Sequence, residues 1–333
     1  IYIREDGTMG VANLNSDKLT TDYGPARKKN TEIGQKEKDF AFSLQKRFEE
    51  IYIDLLNDLY DRTQNKNLVL AGGCALNSVA NGKIYDFTKF KKTSIHPAAG
   101  DDGLAVGAAL YVAQNYEVQK QSINSSPYLG KKYLKKDIQS SLTKNSVSFL
   151  VLEETKFINR VVDDMCNGKV VGWFQGRSEW GPRALGNRSI ISHPGFPNMK
   201  DILNARIKKR ESFRPFAPIV LEEYTDTIFE RSESSPYMLH VYKIKKEWRS
   251  KLSAVNHLDN TGRLQTLKEI DNPRLYKLIK TFYERTNIPV ILNTSFNENE
   301  PIVETPEDAI KCFLRTKMDT LAIDNFYCKK KIK

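Results

Sequence analysis

Apolar and polar residues follow one another along this chain in patterns that predict helices separated by short strands. Apolar side chains recur at three- and four-residue spacing over residues 35–64, which predicts an amphipathic helix. The apolar run at 67–71 predicts a buried strand, which leads through Gly72 and Gly73 into the start of another helix at 74–81. A strand, a glycine turn and a helix in this order are typical of an α/β crossover unit.

A second crossover unit is predicted where SIHPAAGDDG leads into the apolar stretch LAVGAALYVAQ. The alanines and glycine at 105–109 indicate a helix that packs closely against a sheet. The sequence then turns polar from 119 to 137, and we interpret 123–137 as a linker between two domains.

Beyond the predicted linker, helices and strands alternate again. The predicted helices lie at 157–166, near 199–208, at 273–285 and near Pro306–Arg315, with Thr305 as candidate N-cap of the last. The predicted strands lie at 169–175, at 289–292 and near Thr320–Ile323. This order of elements predicts an α/β fold for both domains.

The composition is that of a globular protein. A length of 333 residues fits two domains of common size, and 40% of the residues are apolar while 28% are charged. The sequence has no run of about 18 apolar residues, so no transmembrane helix and no membrane partner are predicted. The chain begins without Met and inside a predicted strand, which we interpret as the start of a fragment of a longer protein.

The cysteines argue for a reducing compartment. Four of them lie far apart along the chain, at Cys74, Cys166, Cys312 and Cys328. This spacing is typical neither of a disulfide framework nor of a structural zinc site. We therefore expect reduced thiols in a cytoplasmic protein, and none of the four stands in a recognisable nucleophile context.

The net charge of +11 is consistent with binding to nucleic acid, to a membrane surface or to a small polyanion. Lysines occur in short tracts that are typical of solvated linkers and chain ends. Arginines instead collect in one region, at Arg177, Arg183, Arg188, Arg206, Arg210 and Arg214. Because the planar guanidinium group suits bidentate contact with phosphate, this cluster favours a phosphate ligand.

The densest part of this region is the loop GRSEWGPRALGNRSI at 176–190, which directly follows a predicted strand. Its glycines can bring backbone N–H groups close to an anion, and Arg177, Arg183 and Arg188 are candidates to clamp the oxygens. The loop has neither the Walker A pattern nor the GxGxxG pattern of dinucleotide sites. The alternative is a structural turn whose arginines pair with acidic side chains such as Glu179.

Downstream, NARIKKRESFRPFAP at 204–218 suggests a helix end followed by an extended segment, in which Pro215 keeps Arg214 out of helical geometry. Lys208 and Arg214 are candidates to hold phosphate in a dry site. The alternative is a solvated basic helix end, and it is the preferred interpretation for Lys209 and Arg210.

Two further segments combine donors and acceptors in short stretches. NHLDNTGRLQT at 256–266 supplies His257 and Arg263, while LNTSFNENEPIV at 292–303 supplies Asn293, Ser295 and Asn297 after a predicted strand. Ligand groups of α/β folds often lie at such strand ends. For each segment alone, an ordinary polar turn is the alternative.

In the first domain, the candidates are GGCALN at 72–77 and HPAAGDDG at 96–103. Gly72 and Gly73 allow close approach of a nucleotide, and Asn77 is a candidate hydrogen-bonding group. Asp101 suits a hard cation, with Asp102 and His96 as neighbours, although a GDDG segment is also typical of a plain turn.

Taken in order, these segments resemble the O-carbamoyltransferases typified by nodulation protein U and by the tobramycin and cephamycin carbamoyltransferases. The resemblance covers nearly all of 1–333. It implies an α/β architecture in which 1–122 is the second lobe of an actin/sugar-kinase-like (ribonuclease H-like) domain. It also implies a linker at 123–137 and a YrdC-like α/β domain with a twisted open sheet at 138–333.

The resemblance also implies an activity in two steps. The YrdC-like domain would form carbamoyl-adenylate from carbamoyl phosphate and ATP with Mg, and the other domain would transfer the carbamoyl group to a hydroxyl of a small-molecule acceptor. The implied catalytic residues are Arg183, Lys208 and Arg214. The implied substrate-binding residues are Arg177, Arg188, His257, Arg263, Asn293, Ser295 and Asn297. In the transfer domain, Gly72, Gly73 and Asn77 would contact nucleotide, and Asp101 would ligate iron or another divalent metal.

One departure from the family pattern limits this expectation. The family takes two further metal ligands from a His-x-x-x-His motif, and no such pair occurs in this sequence. We therefore expect a C-terminal fragment that lacks the first lobe, retains no metal and has lost complete transfer. The alternatives are an RNA-binding YrdC-like module linked to tRNA modification, which the missing RNP and zinc signatures disfavour, and an inert regulatory fragment.

Overall fold

The computed structural model describes residues 2–3, 9–10, 17–28, 31–116 and 126–330. The chain divides into two compact units, 1–54 and 55–333. In the first unit, strand β1 (Tyr2–Ile3) pairs antiparallel with β2 (Met9–Gly10), and helix α1 (Asp17–Tyr23) follows. Helix α2 (Gln35–Thr63) begins in the first unit and ends in the second, which confirms the amphipathic helix predicted there.

The part of the second unit up to residue 116 has two parallel strands and two helices after α2, in the predicted order. These elements are β3 (Asn67–Leu70), α3 (Ser78–Phe87), β4 (Lys92–Ile95) and α4 (Leu104–Gln114). Strands β3 and β4 pair in parallel, as a crossover unit requires. Short 3₁₀ turns at Gly73–Leu76 and Asp101–Gly103 precede the two helices.

The packing predicted for α4 is wrong. Small residues were expected to let this helix lie close against a sheet, yet none of its residues is buried. Among the described residues, β3 and β4 form a sheet of only two strands, and Val69 on β3 stays 77% exposed. So narrow a sheet cannot cover the apolar side chains of α4, which face solvent in the part of the chain that is described.

Residues 126–330 build a nine-stranded mixed sheet in the order β5-β13-β12-β6-β7-β11-β8-β10-β9. Its strands are β5 (Phe149–Val151), β6 (Val171–Phe174), β7 (Arg188–Ser192), β8 (Ala217–Leu221), β9 (His240–Lys243), β10 (Thr261–Leu267), β11 (Val290–Ser295), β12 (Thr320–Ile323) and β13 (Phe326–Lys329). The pairs β6/β12 and β8/β10 are parallel, and the others are antiparallel. The predicted α/β class is therefore confirmed as an open mixed sheet.

Helices cover this sheet and complete the core. They are α5 (Lys135–Lys144), α6 (Glu154–Cys166), α7 (Met199–Leu203), α8 (Thr225–Ile228), α9 (Lys246–Arg249), α10 (Pro273–Thr286) and α11 (Pro306–Arg315). Helix α7 continues into one π-helical turn at Asn204–Lys208, and a 3₁₀ turn at Glu222–Tyr224 precedes α8. The predicted N-cap of α11 is confirmed, because Thr305 Oγ1 accepts from the Asp308 N–H at 3.1 Å.

Helix α3 from the first half of the chain packs against strand β9 at the edge of the nine-stranded sheet. Gly82 makes this approach close, since an added Cβ would lie 2.1 Å from the Val241 carbonyl oxygen. Buried Asn81 donates from Nδ2 to the carbonyls of Ala75 at 2.8 Å and Leu239 at 2.9 Å. These contacts fasten residues 75–87 to the sheet that carries the candidate site.

Within the described ranges, no helix combines the length and the apolar character needed to cross a lipid bilayer.

Candidate functional site

A cavity of about 310 Å³ opens beside the glycine-rich loop and the end of β11. Its lining residues are Pro182, Arg183, Ala184, Arg210, Arg214, Pro215, Phe216, Met238, Arg263, Asn293, Thr294 and Ser295. Among the residues that the structure describes, this lining has four arginines and no carboxylate. A concave surface with that charge distribution favours an anionic ligand. We call it the arginine cavity.

The glycine-rich loop takes its shape from a buried acid. Glu179 Oε1 accepts backbone N–H groups from Leu185 and Asn187 at 2.7 Å each and from Arg188 at 3.2 Å. Burial raises the pKa of this carboxyl, while the backbone donors favour its charged form. Glu179 therefore pairs with the backbone of the loop, and this arrangement holds the segment that carries Arg183.

Two of the predicted phosphate-binding arginines lie outside the arginine cavity. Arg188 is fully buried, stacks at 3.6 Å over the Phe174 ring, and donates to the carbonyls of Gln175 at 2.7 Å and Asn187 at 3.0 Å. Arg177 is exposed and donates to the Gly130 carbonyl at 2.9 Å. Both guanidinium groups thus hold backbone around the loop rather than facing the cavity.

The arginines of the cavity carry an electrostatic cost. Burial, together with repulsion from Arg183 and Arg210, lowers the pKa of Arg263 to about 9. Burial and the neighbouring Arg214 lower the pKa of Arg210 to about 10. The buried Nε of Arg183 has no hydrogen-bond partner among the described residues. An anion in the cavity would stabilise all of these charges.

Lys208 lies behind the cavity wall at the end of the π-helical turn. Its Nζ donates to the Ser295 carbonyl and to Asn297 Oδ1 at 2.6 Å each, and to the Asn297 carbonyl at 2.8 Å. Burial, and then repulsion from Arg210, lowers the pKa of Lys208 to about 7. The structure therefore brings Lys208, Ser295 and Asn297 together, and Ser295 connects them to the cavity.

His257 precedes β10 and does not belong to the cavity lining. Its Nδ1 lies 3.0 Å from Thr261 Oγ1, and its buried Nε2 has no partner within the described residues. Burial lowers the pKa of His257 to about 4, so the ring is neutral at physiological pH. Of the two candidates in this segment, Arg263 reaches the cavity and His257 does not.

The two motifs of the first half lie side by side. The Gly72 N–H donates to the Ala99 carbonyl at 2.7 Å. A Cβ added at Gly72 or Gly73 would meet nothing within 4 Å, so the surface above both glycines is open. Asn77 caps α3, with its side chain accepting from the Ala80 N–H at 3.1 Å.

The surroundings of Asp101 do not fit a metal centre. Asp101 and Asp102 are exposed, and His96 Nδ1 accepts the Ala98 N–H at 3.1 Å. In the described parts of the chain, no three His, Cys, Asp or Glu side chains come together as a ligand set. Tight binding of a divalent metal needs several such ligands, so Asp101 alone does not supply a site.

The glycine-rich loop also contacts the first half of the chain. Trp180 Nε1 donates to the Asp102 carbonyl at 3.1 Å. A Cβ added at Gly181, where φ is +111°, would lie 2.5 Å from the Pro97 carbonyl oxygen. The loop that positions Arg183 is thus packed against the HPAAGDDG segment.

Sequence reasoning missed Arg210, which was interpreted as a solvated helix end. The left-handed conformation of Lys209, with φ +43°, ends the helical turn and redirects the chain. Arg210 then donates from Nε to Asn204 Oδ1 at 2.8 Å and lines the cavity beside Arg214. The four-residue spacing of Arg210 and Arg214 was the available signal.

Comparison with known proteins supports one family across both halves of the chain. Residues 162–330 match the family model described as carbamoyltransferase C-terminus, and residues 11–110 match the one described as carbamoyltransferase N-terminus. The C-terminal match includes all four arginines of the cavity.

Several relatives are similar over most of this chain. The chain is 42% identical to the uncharacterized protein sll1178 of Synechocystis sp., with 91% of the chain and 54% of that protein covered. It is 38% identical to nodulation protein NolO of Bradyrhizobium diazoefficiens, with 92% of the chain and 57% of that protein covered. It is 35% identical to nodulation protein U of Azorhizobium caulinodans, with 71% of the chain and 40% of that protein covered. The chain spans about half the length of the curated relatives that it matches.

A crystal structure of full-length HypF in its phosphate- and nucleotide-bound form is similar over 55% of this chain and 22% of that one. The TM-score is 0.35 at 18% identity, which supports no conclusion about ligand or mechanism. The matches to the two family models are enough to assign the family, since the C-terminal match alone covers half of the chain. This chain belongs to the carbamoyltransferase family.

Proposed function

We propose that this chain carries the activation step of a carbamoyltransferase, in which carbamoyl phosphate and ATP form carbamoyl-adenylate. The observation that carries the proposal is the arginine cavity, whose described lining offers four guanidinium groups and no carboxylate. Both substrates are polyanions that repel each other. Fixed cations in a partly dry site offset this repulsion and stabilise the charge that develops during transfer.

The proposed roles follow from where the side chains lie. Arg183, Arg214 and Arg263 would hold phosphate oxygens, because all three line the arginine cavity. Lys208 would act through Ser295, whose carbonyl accepts its Nζ at 2.6 Å. The net reaction consumes one water and releases phosphate and pyrophosphate.

The proposed reaction needs no covalent intermediate on a cysteine. Burial raises the pKa of Cys312 and of Cys328 to about 12, so neither is a thiolate at neutral pH. Electrostatic stabilisation and positioning are therefore the contributions that we assign to the protein.

For the first half of the chain, we propose contact with the nucleotide of the adenylate. The open surface above Gly72 and Gly73 supports this, because backbone without side chains allows close approach of a ligand. Transfer to a hydroxyl-bearing acceptor is proposed for the whole protein only, since the chain spans about half the length of its relatives.

The direct test is ATP–pyrophosphate exchange. The protein is mixed with ATP, Mg and labelled pyrophosphate, with and without carbamoyl phosphate. We expect label in ATP only when carbamoyl phosphate is present, and a loss of about a hundredfold or more in Arg183→Ala. Arg206→Ala is the matched control, because Arg206 is exposed and does not line the cavity. Folded wild type without exchange, or normal exchange by Arg183→Ala, would contradict the proposal.

A further inference from the structure

Residues 126–131, part of the segment predicted to be a linker, run alongside the glycine-rich loop. The Pro127 carbonyl accepts the Trp180 N–H at 2.6 Å, and the Gly130 N–H donates to the Ser178 carbonyl at 3.0 Å. A Cβ added at Gly130 would lie 1.8 Å from Ser178 Oγ, so the two segments are in direct contact. We call residues 126–131 the strap, and its backbone is held by the loop beside it.

The Tyr128 hydroxyl of the strap joins the loop to helix α10. It donates to the Leu185 carbonyl at 3.0 Å and accepts Nδ2 of Asn272 at 3.1 Å. Asn272 is the N-cap of α10, where its Oδ1 accepts the Leu275 N–H at 3.2 Å. Burial raises the pKa of Tyr128, so the hydroxyl keeps its proton and can donate at neutral pH. Since Leu185 lies two residues after Arg183, the hydroxyl relates the position of Arg183 to a helix of the core.

Both partners of this hydroxyl have a second hydrogen bond. The Leu185 carbonyl also accepts Gln265 Nε2 at 2.9 Å, and Asn272 Nδ2 also donates to Asn187 Oδ1 at 2.9 Å. Loss of the Tyr128 hydroxyl would therefore leave neither group without a partner, which keeps the cost to folding small. What is lost is one of the two side-chain bonds that fix the Leu185 carbonyl, and with it the precise placement of the loop.

We infer that the Tyr128 hydroxyl is a positioning group for Arg183, that it acts through the Leu185 carbonyl, and that it raises the rate of activation more than the affinity for substrates. This inference rests on the proposed function, because it assumes that Arg183 contacts a substrate in the arginine cavity. The other three arginines of the cavity lie outside the glycine-rich loop and would keep their hold on the anions. A displaced cation instead lowers the rate, because catalysis requires its precise placement in the transition state.

The test measures ATP–pyrophosphate exchange with carbamoyl phosphate over a range of substrate concentrations, by wild type and by Tyr128→Phe. We expect the maximal rate to fall about tenfold, while the half-saturating concentrations change by less than about twofold and the melting temperature by less than about 5 °C. The matched control is Tyr133→Phe, which should equal wild type, because Tyr133 packs against the core through its ring.

The outcomes separate this inference from the proposed function. A wild type that shows no exchange would overturn the proposed function, and the inference with it. A wild type that exchanges, together with a folded Tyr128→Phe that keeps the full maximal rate, would overturn the inference alone.

A double-mutant cycle then tests whether the hydroxyl acts through Arg183. In the Arg183→Ala background, Tyr128→Phe should lower the remaining exchange by less than about twofold, because no guanidinium group is left to misplace. A hydroxyl with a purely structural role would lower the rate by the same factor in both backgrounds, and that result would overturn the inference.

Gly130→Ala decides the question if Tyr128→Phe does not fold. Its methyl group would push the strap away from Ser178 while the Tyr128 hydroxyl remains in the protein. We expect at least about a threefold loss of maximal rate in the presence of Arg183 and less than about a twofold loss in the Arg183→Ala background. An unchanged maximal rate in Gly130→Ala would overturn the inference.

Discussion

The carboxylate of Glu179 accepts the backbone N–H of Asn187 at 2.7 Å, and through this bond a buried acid shapes the loop that carries Arg183. The same oxygen also accepts the N–H groups of Leu185 and Arg188. Such an arrangement of N–H groups around one oxygen resembles the backbone concavities that bind anions, with a side-chain carboxyl in place of the ligand. The loop is thus already folded around this carboxyl group before any ligand reaches the neighbouring cavity.

Removal of this acid should destabilise the protein strongly. Glu179→Ala leaves three buried N–H groups without their acceptor. Because each costs about 1–3 kcal/mol, we expect the free energy of unfolding to fall by about 3 kcal/mol or more, measured by chemical denaturation. Glu269→Ala removes an exposed acid and should change stability by less than about 0.5 kcal/mol. Similar stabilities for the two variants would refute this role of Glu179.

The buried amine of Lys208 should make stability depend on pH. Its pKa is lowered from 10.5 to about 7 in the folded protein, so the unfolded chain binds more protons between these values. Stability should therefore rise with pH above about 7, by about 1 kcal/mol for each pH unit. Denaturation midpoints between pH 7 and 9 measure the slope.

Comparison of two lysine variants assigns that slope. Lys208→Met removes the titrating amine and should flatten the rise, whereas Lys246→Met removes an exposed lysine and should keep it. An unchanged slope in Lys208→Met would show that another group is responsible.

Arg263 should have opposite effects on stability and on binding. It is half-buried beside other arginines, and burial and their repulsion lower its pKa to about 9, so its charge costs free energy when no anion is bound. We expect Arg263→Met to unfold at a higher temperature than wild type in chloride buffer and to bind inorganic phosphate at least about tenfold more weakly. Thermal denaturation with and without phosphate measures both effects.

The control for this prediction is Arg206→Met, because Arg206 is exposed and outside the cavity. It should match wild type in both measurements. If Arg263→Met were less stable than wild type and still bound phosphate, the described role of the cavity charges would be wrong.

Gly82 should be intolerant of a side chain. A methyl group there would lie 2.1 Å from the Val241 carbonyl oxygen, so Gly82→Ala must separate α3 from β9. We expect a loss of about 1–3 kcal/mol and faster hydrogen exchange in residues 78–87. Gly107→Ala on α4 meets no atom within 4 Å and should stabilise its helix by about 0.5–1 kcal/mol.

Elements with strong local signals were predictable from sequence. Helix α11 lies where it was predicted, because Pro306 and the Thr305 cap specify its start and its apolar spacing is regular. Strand β12 was also predictable, since a short apolar run between polar residues is typical of a buried strand. In such segments the local preference agrees with the tertiary environment.

Strand β10 was not predicted, because its sequence TGRLQTL resembles a polar turn. It is a strand because β8 and β9 flank it and satisfy its backbone hydrogen bonds, and this is a tertiary effect that no local pattern reveals. The same limit applies to the roles of the arginines. Nothing in the sequence distinguishes Arg188, which stacks on Phe174, from Arg183, which lines the cavity.

The close contact between Gly181 and the Pro97 carbonyl has a consequence for recombination between relatives. A chimera of two relatives joined at residues 117–125 would combine the glycine-rich loop at 176–190 from one parent with the turn at 96–103 from the other. Any mismatch there would shift Arg183, although the crossover point lies far away along the chain. A functional chimera of two relatives should therefore carry residues 96–103 together with the downstream half, so that the 176–190 loop and the 96–103 turn come from the same parent.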